Sequence, residues 1–361
     1  MKNRAPHCHS ILCILPPYIL KSVANSGRQH PAEAAARTLS SDASFRVART
    51  FTTVTAAPAP PESAGFRAAA LDLQAQRTIY HGRNAQALPG DVIRTEGSGP
   101  IGDTAVDEAH DGLGATFDFY AKIFQRNSID NNGQPLKATV HYGVNYDNAF
   151  WNGQQMVFGD GDGQVFNRFT IAVDIIGHEL THGVTQSQVH LAPFYQPGAL
   201  NESISDVFGS MIKQHRLQQE ASEADWLIGE GLFTSNVAGV ALRSMKDPGS
   251  AYDDPVLGKD PQPKHMRDFV YTLTDQAGVH INCSIPNHAF YLLATSLGGF
   301  AWERAGVIWY ETLKDTRFGH HTLFADFARL TFSNAVRLYG SKSQESLAVQ
   351  EAWHQVGINV E

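Results

Sequence analysis

Two histidines and a glutamate stand close together in the segment IIGHELTHGVTQ, residues 175–186: His178, Glu179 and His182. Four residues of an α-helix turn through about 400° and rise about 6 Å, so the two imidazoles would share one face. That spacing lets both rings bind one Zn²⁺ at about 2.0–2.1 Å each. Glu179 would be rotated by about 100° from His178, which suits a base that takes a proton from zinc-bound water. The motif suggests a catalytic zinc site but does not prove one without a third ligand.

A candidate third ligand follows in GALNESISDVFGSM, residues 198–211, which reads as a second helix. In this interpretation Asn201 lies near the N-cap, and the acids Glu202 and Asp206 lie close to the start of the helix on one face. Glu202 could complete the zinc shell, and Asp206 could hydrogen-bond the free nitrogen of a zinc-bound histidine. The alternative is that both acids only stabilise the helix N-terminus. Taken with the upstream motif, the ligand interpretation is favoured.

The elements that would position these residues change character along the chain. Strands are predicted at 138–144 and 154–161, with the turn sequence GDGDG at 159–163, and a helix at 105–124. Beyond about residue 165 the apolar residues recur at helical spacing, which predicts helices at 168–186, 201–217, 287–298, 303–315, 323–338 and 344–356. The expected fold class is α+β, with a β-rich N-terminal domain, a mainly helical C-terminal domain and a connecting helix that carries the first motif.

Length and composition agree with a globular chain of two domains. The 361 residues are 42% hydrophobic with a net charge of −8, which argues against a nucleic-acid partner. No run of 18 apolar residues predicts a membrane span, and three cysteines do not make a disulfide framework. Residues 21 to about 75 are rich in Ala, Ser, Arg and Pro and read as a linker or processing region. The expected division is 1–60 as propeptide and linker, 61–186 as the first domain and 187–361 as the second.

With these motifs in place, the chain resembles the thermolysin-like zinc metallopeptidases over residues 77 to 361. That family carries His-Glu-x-x-His and then, twenty residues after the second histidine, a glutamate within Asn-Glu-x-x-x-Asp; here His182 and Glu202 have that spacing. The resemblance implies a two-domain fold with the active-site cleft between the domains. It also implies a zinc endopeptidase that cuts on the N-terminal side of bulky hydrophobic residues, with protein or peptide substrates.

Further segments extend the resemblance to substrate binding and catalysis. In YDNAFWNGQQMVFGDGDG, 146–163, the resemblance implies that Asn148 and the Ala149 backbone bind an extended peptide as an added strand. In DQAGVHIN, 275–282, it implies that His280 stabilises the oxyanion and that Asp275 orients His280.

The segment ALRSM, 241–245, matches the family at the side of the cleft beyond the scissile bond. The resemblance implies that Arg243 binds the substrate carbonyl there. Leu242 beside it, with Ile175 and Ile228, would line a pocket for a bulky apolar side chain.

Two departures from the family pattern concern the oxyanion and calcium. The family usually has a tyrosine eleven residues after the second motif histidine, where this chain has Pro193; Tyr195, two residues on, is the candidate replacement. In the family, the equivalents of Asp174, Asp225 and Glu230 bind Ca²⁺ together with further acidic residues. At two of those further positions this chain has Lys213 and Leu227 instead of an acid. Because an ammonium among carboxylates could stand in for the cation, we expect calcium at this site to be absent or weak.

The head of the chain resembles the short propeptide of the protealysin-like branch in CILPPYIL, residues 13–20. The resemblance implies a segment that occludes the cleft and is later removed, and Cys13 could bind the zinc as a thiolate. Cys283 and Ser284 stand where the family usually has Ser-Gly, and their effect is open. We expect a secreted monomer, although the N-terminus lacks a clean signal-peptide cleavage site.

Three functions of different kinds are consistent with these residues. An endopeptidase is the leading interpretation, because the base Glu179 is intact. A catalytically weakened or inactive relative that acts as a binding or inhibitory protein is the alternative, suggested by Pro193 and Cys283. A zinc hydrolase for small substrates is disfavoured by the segment around Asn148 and by Arg243, which suit extended peptides.

Overall fold

The computed structural model describes residues 12–55 and 73–360, and gives only the backbone of residues 12 and 44–55. Six strands form one sheet in the order β1-β5-β6-β4-β2-β3. They are β1 (Leu12–Cys13), β2 (Arg77–His81), β3 (Asp91–Thr95), β4 (Leu136–Val140), β5 (Ala149–Trp151) and β6 (Met156–Phe158). The strands β2, β4 and β6 are parallel, whereas β3, β5 and β1 join antiparallel. The N-terminal end of the described chain thus forms the edge strand of this sheet.

The helix α3 (Thr104–Phe124) packs on the sheet through buried residues on one face, among them Val106, Leu113 and Phe117. Asp103 caps its start by accepting hydrogen bonds from the amides of Ala105 and Val106. It matches the helix predicted at 105–124. Because the cap fixes where α3 begins, the Asp103 side chain is held beside the sheet edge.

Two packed helices, α4 (Val173–Gln188) and α5 (Tyr195–Leu217), carry the predicted zinc motifs. Gly209 of α5 lies so close to α4 that a Cβ there would come within 2.5 Å of the Asp174 carbonyl oxygen. The prediction that α5 begins near Asn201 is wrong, since the helix begins six residues earlier. Its first turn contains Pro197, a position where proline is tolerated although it reads as a loop signal. Glu202 therefore lies inside the helix, not in its first turn.

The C-terminal part is helical, as predicted from its apolar periodicity. Its helices are α6 (Asp275–Asn282), α7 (Ser284–Leu297), α8 (Ala305–Leu313), α9 (Phe324–Tyr339) and α10 (Gln344–Gln355). Between α5 and α6 lie two short ribbons, β7 (Leu227–Ile228) with β8 (Arg243–Ser244), and β9 (Asp253–Asp254) with β10 (Gly258–Lys259). The predicted α+β architecture is confirmed, while the exact domain boundaries stay a prediction.

The N-terminal segment differs from the expected linker. It forms α1 (Pro17–Ala24) and α2 (Gln29–Thr55). α1 buries Ile19, Leu20 and Val23, and α2 contains a run of alanines, which have high helix propensity and leave only a weak apolar periodicity. Residues 1–11, which bear on the signal-peptide question, and 56–72, which are part of the expected linker or processing region, lie outside the described residues. Among the described helices, none has the length and apolarity to cross a membrane.

Candidate active site

The two motif histidines converge within α4. Their rings are perpendicular, with centroids 4.6 Å apart, and the Nε2 atoms are 3.0 Å from each other. Both side chains are fully buried. Two Nε2 atoms at this separation can be bridged by one ion at ordinary Zn–N distances.

Glu202 of α5 supplies the third donor. Its Oε2 lies 3.4 Å from Nε2 of His178 and 3.7 Å from Nε2 of His182, and the three residues form a group able to hold a metal ion. Neither oxygen of this buried carboxylate has a hydrogen-bond partner among the described residues. Because an orphaned buried carboxylate is costly, this donor set fits a divalent cation.

The opposite ring nitrogens are held by groups of α5. Nδ1 of His178 is 2.8 Å from Oδ1 of Asp206, and Nδ1 of His182 is 2.9 Å from Oγ of Ser205 and 3.3 Å from Oδ1 of Asn201. Such contacts fix the ring orientation of metal-binding histidines. Sequence reasoning missed Ser205, although it lies between Glu202 and Asp206 on the same helix and could have been found from that.

Asp206 is the centre of a buried charge network. Arg243 donates two hydrogen bonds to it, each 2.8 Å, and Asn287 donates a third of 2.8 Å. Burial disfavours the charged carboxylate, but Arg243 and His178 outweigh burial and lower the pKa of Asp206 to about 2. Asn287 was not foreseen, and no local sequence signal marked it.

Glu179 has one anchored and one unpartnered oxygen. Its Oε2 accepts a 3.0 Å hydrogen bond from the amide of Trp151 in β5, while Oε1 has no partner among the described residues. Burial raises the pKa of this carboxyl well above its usual value. A desolvated carboxylate with a free oxygen beside two zinc-type ligands is suited to proton transfer.

His280 and Asp275 form the predicted pair at the start of α6. Nδ1 of His280 is 2.6 Å from Oδ1 of Asp275, and the His280 amide donates to Oδ2 at 2.8 Å. Four consecutive residues, 275–278, have positive φ of 52°, 52°, 66° and 78°, which curls the chain so that the carboxylate faces the histidine. Nε2 of His280 lies 3.4 Å from Oε2 of Glu202, so this pair lies at the same centre.

The predicted pocket residues are also brought together. Leu242 and Ile175 both lie within 3.4 Å of the position that a Cβ on Gly229 would occupy, and the Leu242 amide donates to the Ile228 carbonyl at 2.9 Å. Leu242, Ile175 and Ile228 are buried in one apolar cluster. This wall adjoins Arg243, the next residue in the chain.

The N-terminal segment runs through the site as an added strand. β1 pairs antiparallel with β5, and the Ile14 amide donates to the Ala149 carbonyl at 3.3 Å. The Leu15 amide donates to Oδ1 of Asn148 at 3.2 Å. The carbonyl of Cys13 is 3.1 Å from Nε2 of His280, and the carbonyl of Ile14 accepts a 3.3 Å bond from Arg243.

Both halves of the chain resemble known proteins. Residues 71–186 match the thermolysin metallopeptidase catalytic domain, and residues 190–358 match the thermolysin metallopeptidase α-helical domain. An extracellular metalloprotease of Pectobacterium carotovorum is 49% identical over the whole chain and 99% of its own length. The chain belongs to the thermolysin family of metallopeptidases. It is therefore a hydrolase of the metalloendopeptidase class, and its family uses zinc, for which the group of His178, His182 and Glu202 is suited.

Two further relatives place the chain within the thermolysin family. The precursor of protealysin, a metalloproteinase from Serratia proteamaculans, has a similar structure with a TM-score of 0.86 and 49% identity, covering 96% of this chain and 99% of that one. A thermolysin of Alicyclobacillus acidocaldarius is 39% identical, covering 77% of this chain and 50% of its own sequence. The resemblance to the protealysin-like branch is thus confirmed.

The two described cysteines, Cys13 and Cys283, are both buried. The Cys13 side chain packs in an apolar cluster with Tyr142, Tyr146, Phe150 and Val157. The expectation that its thiolate could bind the zinc is therefore wrong, because strand pairing turns the backbone carbonyl of Cys13, not its sulfur, toward His280. Cys283 donates from Sγ to the His280 carbonyl at 3.3 Å and is fully buried.

The candidate replacement for the family tyrosine lies at the start of α5. Tyr195 is the first residue of that helix, with φ of 57°, and its ring packs edge-to-face on Phe269 with centroids 5.6 Å apart. Among the described residues its hydroxyl makes no hydrogen bond to His280. Tyr195 as an oxyanion donor stays a prediction.

Lys213 lies among the three carboxylates that the family resemblance associates with calcium. Its Nζ is 2.6 Å from Asp225, 3.3 Å from Glu230 and 3.6 Å from Asp174. Burial opposes the charge of Lys213, but the three carboxylates outweigh it and raise its pKa. The absence of calcium here stays a prediction.

Proposed function

We propose that this metalloendopeptidase hydrolyses peptide bonds on the N-terminal side of bulky hydrophobic residues. The observation that carries the proposal is the binding of residues 12–15 in the cleft through the contacts expected of a substrate. The Ile14 amide donates a hydrogen bond to the Ala149 carbonyl, and the Ile14 carbonyl accepts one from Arg243. The carbonyl of the preceding residue, Cys13, lies within hydrogen-bond distance of His280. Ile14 thus stands where the residue after the scissile bond would stand.

The side chain of Ile14 supports the proposed preference. It is fully buried, as are Leu242, Ile175 and Ile228, and all four belong to the main apolar core. Burying an isoleucine or leucine side chain contributes about 1.5–3 kcal/mol, whereas a charged side chain in that position would lose its hydration. The pocket therefore favours large apolar residues immediately after the bond that is cut.

Each residue has a proposed role that follows from its contacts. His178, His182 and Glu202 hold the zinc, and Asp206 orients His178. Zinc, when bound, supplies Lewis-acid polarisation of the scissile carbonyl and of the attacking water. Glu179 accepts a proton from that water and delivers it to the leaving amine. His280, positioned by Asp275, donates a hydrogen bond to the oxygen on which negative charge develops.

The same contacts support a precursor state. Residues 12–15 use Asn148, Ala149, Arg243 and His280, so a substrate cannot bind while they are in place. We infer that the N-terminal segment is a propeptide that occludes the cleft and that its removal activates the enzyme. Secretion is part of this proposal, because the relative from Pectobacterium is named an extracellular metalloprotease.

The decisive experiment compares casein hydrolysis by the activated wild type and by Glu179→Ala, with the zinc content of each measured. We expect zinc to be retained and activity to fall by at least about 10²–10⁴-fold, the usual contribution of a general base. Equal activity in the two proteins would end the proposed mechanism. A wild type that holds zinc but cleaves neither casein nor peptides would instead favour the inactive, inhibitory alternative.

The preference is tested on the same preparation. Mass spectrometry of a digested peptide library should show cuts before Leu, Ile, Phe and Val. Leu242→Lys should reduce these cuts, whereas Leu217→Lys, at an exposed position of α5, should not. Cuts without regard to the following residue would contradict the assigned pocket.

A further inference from the structure

A second group of metal-type ligands lies apart from the catalytic centre and shares no residue with it. It consists of His81, Asp103 and His141, whose donor atoms all lie within 4.8 Å of one another. Asp160 contacts the Nδ1 side of the His141 ring. These four residues are called the His141 cluster below, and neither the proposed reaction nor the propeptide uses them.

The fold brings the cluster together from separate elements. His81 is the last residue of β2 and pairs in register with Val140, the last residue of β4, so His141 follows directly at the same edge. Carboxyl ends of parallel strands meet at one edge of a sheet, which is where ligands commonly bind. Asp103 reaches this edge because it is the N-cap of α3. The rings of His81 and His141 have centroids 4.6 Å apart.

His141 is oriented as metal-binding histidines usually are. Its Nδ1 lies 2.9 Å from both carboxylate oxygens of Asp160, which fixes the proton on that nitrogen. Its Nε2 then points toward Oδ2 of Asp103, at 3.1 Å. A carboxylate on the far nitrogen of an imidazole is the usual support for a histidine ligand.

We propose that His81, Asp103 and His141 bind a divalent ion of the zinc class, such as Zn²⁺ or Co²⁺. Two imidazoles and one carboxylate are the donors that such ions prefer, whereas Ca²⁺ and Mg²⁺ take oxygen donors. The side chains of His141 and Asp103 are 21% and 32% exposed, so an ion can enter and water can complete its shell. The ion would tie the ends of β2 and β4 to the start of α3.

Two contacts oppose binding and limit its strength. The Arg83 amide donates to Nδ1 of His81 at 2.9 Å, and a metal on either nitrogen of that ring disturbs this bond. An exposed hydrogen bond of this kind contributes little net free energy, because water can replace it. In addition, the hydrogen bond to Asp160 helps raise the pKa of His141 to about 9, so the ion must displace a proton from Nε2. Both costs are modest beside the binding energy of a three-ligand zinc site.

Asp103 can serve the helix and the ion together. Its Oδ1 accepts the amides of Ala105 and Val106 at 3.1 and 3.3 Å, while Oδ2 faces His141. This division makes a sharp variant available. Asp103→Asn keeps a good N-cap for α3 but removes the anionic ligand.

The experiment counts zinc bound per chain in the full-length protein, with Glu179→Ala present throughout to prevent self-digestion. After equilibration at micromolar free zinc, we expect His81→Ala and Asp103→Asn each to hold one zinc fewer than their parent. His182→Ala, which removes a catalytic ligand, should also hold one fewer, and His81→Ala with His182→Ala should hold two fewer. His321→Ala is the matched control and should equal the parent.

Thermal unfolding with and without added zinc gives the second measurement. Zinc should raise the midpoint of His182→Ala through the His141 cluster, and the additional His81→Ala change should abolish that rise. If Asp103→Asn and His81→Ala both hold as much zinc as their parent, the inference is overturned. Circular dichroism at the start confirms that each variant is folded, so a lost ion reports the site itself.

Discussion

At position 277 a residue with a Cβ adopts φ of 66°, in the left-handed region, within the turn that aims Asp275 at His280. For an L-residue other than glycine this conformation costs roughly 1–2 kcal/mol. Local strain of this kind is common at functional sites, because the surrounding packing over-determines the backbone. Ala277 thus marks where the site is held against its local preference.

Replacing this residue should relieve the strain. We expect Ala277→Gly to raise the free energy of unfolding by about 0.5–1 kcal/mol, since glycine tolerates positive φ but has a more flexible unfolded chain. Chemical denaturation measures the change. Ala36→Gly, the same substitution in the right-handed helix α2, should lower stability by about 1 kcal/mol. A loss at both positions would show that residue 277 is not strained.

Lys213 serves as the counter-ion of three carboxylates, of which Asp174 is fully buried. Removing one partner of a buried ion pair leaves uncompensated charge and costs about 3 kcal/mol. We therefore expect Lys213→Met to unfold at a lower temperature than wild type. Calcium should restore much of that loss in the variant, because a divalent ion can take the place of the ammonium.

The wild type provides the contrast for this prediction. Its midpoint should be the same with calcium as with EGTA, a chelator that prefers calcium to zinc. A stoichiometric calcium ion beside Lys213 in wild type, or Lys213→Met that remains indifferent to calcium, would contradict the account.

At the scale of elements, the helix α2 reaches Asn148, the residue before β5, through one buried carboxylate. Asp42 accepts hydrogen bonds from the Tyr146 hydroxyl at 2.5 Å and from the Asn148 amide at 2.7 Å. Oδ1 of Asn148 also accepts a hydrogen bond from the Leu15 amide, so two separate parts of the N-terminal segment contact this side chain. Asp42 thus connects the packing of α2 to the binding of residues 12–15 in the cleft.

This contact should control how long the precursor stays inactive. Asp42→Ala leaves Tyr146 and Asn148 unpartnered only while the segment is bound, which weakens binding by about 1–3 kcal/mol. We expect the lag before casein hydrolysis to shorten by about 5- to 150-fold. Ser41→Ala, which loses only an exposed bond with Gln86, should keep the wild-type lag. An unchanged lag in Asp42→Ala would refute this role.

At the scale of the whole molecule, the precursor buries a carboxyl group beside α2. The Asp147 side chain is fully buried, and the Asp147 amide donates to Oγ1 of Thr38 in α2 at 3.0 Å. Burial raises the pKa of Asp147 well above its usual value; the charges of Asp162 and Asp42 add to the rise, whereas a backbone hydrogen bond from Asp162 and the charge of Arg37 oppose it. The neutral acid is therefore favoured in the folded precursor.

This raised pKa makes the free energy of unfolding of the precursor depend on pH. The unfolded carboxyl titrates near about pH 4, so above that value the folded state binds the extra proton. Stability from this group is lost as pH rises through the raised pKa. The unfolding midpoint of Asp147→Asn minus that of wild type should thus be more positive at about pH 8 than at about pH 5. Asp253→Asn, on an exposed residue, should show no such trend, and a constant difference for Asp147→Asn would contradict the prediction.

The helices and their motifs follow from local spacing and were largely predictable. Apolar periodicity indicated α3 and α7 to α10 to within three residues, because a helix repeats its burial every turn, while the predicted start of α4 is five residues too early. Local signals failed at the start of α5, where Pro197 concealed the first turn, and along α2, whose alanines leave little periodicity. Residue spacing could not reveal Asn287 as a partner in the site, because it reaches Asp206 from α7, a distant part of the chain.

By itself, the sequence determined the chemistry that could be done: His178, Glu179 and His182 on one helix, and Glu202 twenty residues later. Those relations are set by helical geometry over short distances. Only the tertiary structure decided what fills the cleft and what holds it. The bond from Arg243 to the Ile14 carbonyl joins residues 229 positions apart, and the His141 cluster depends on the alignment of β2 with β4. Contacts across such distances arise from packing and strand pairing, which no local pattern encodes.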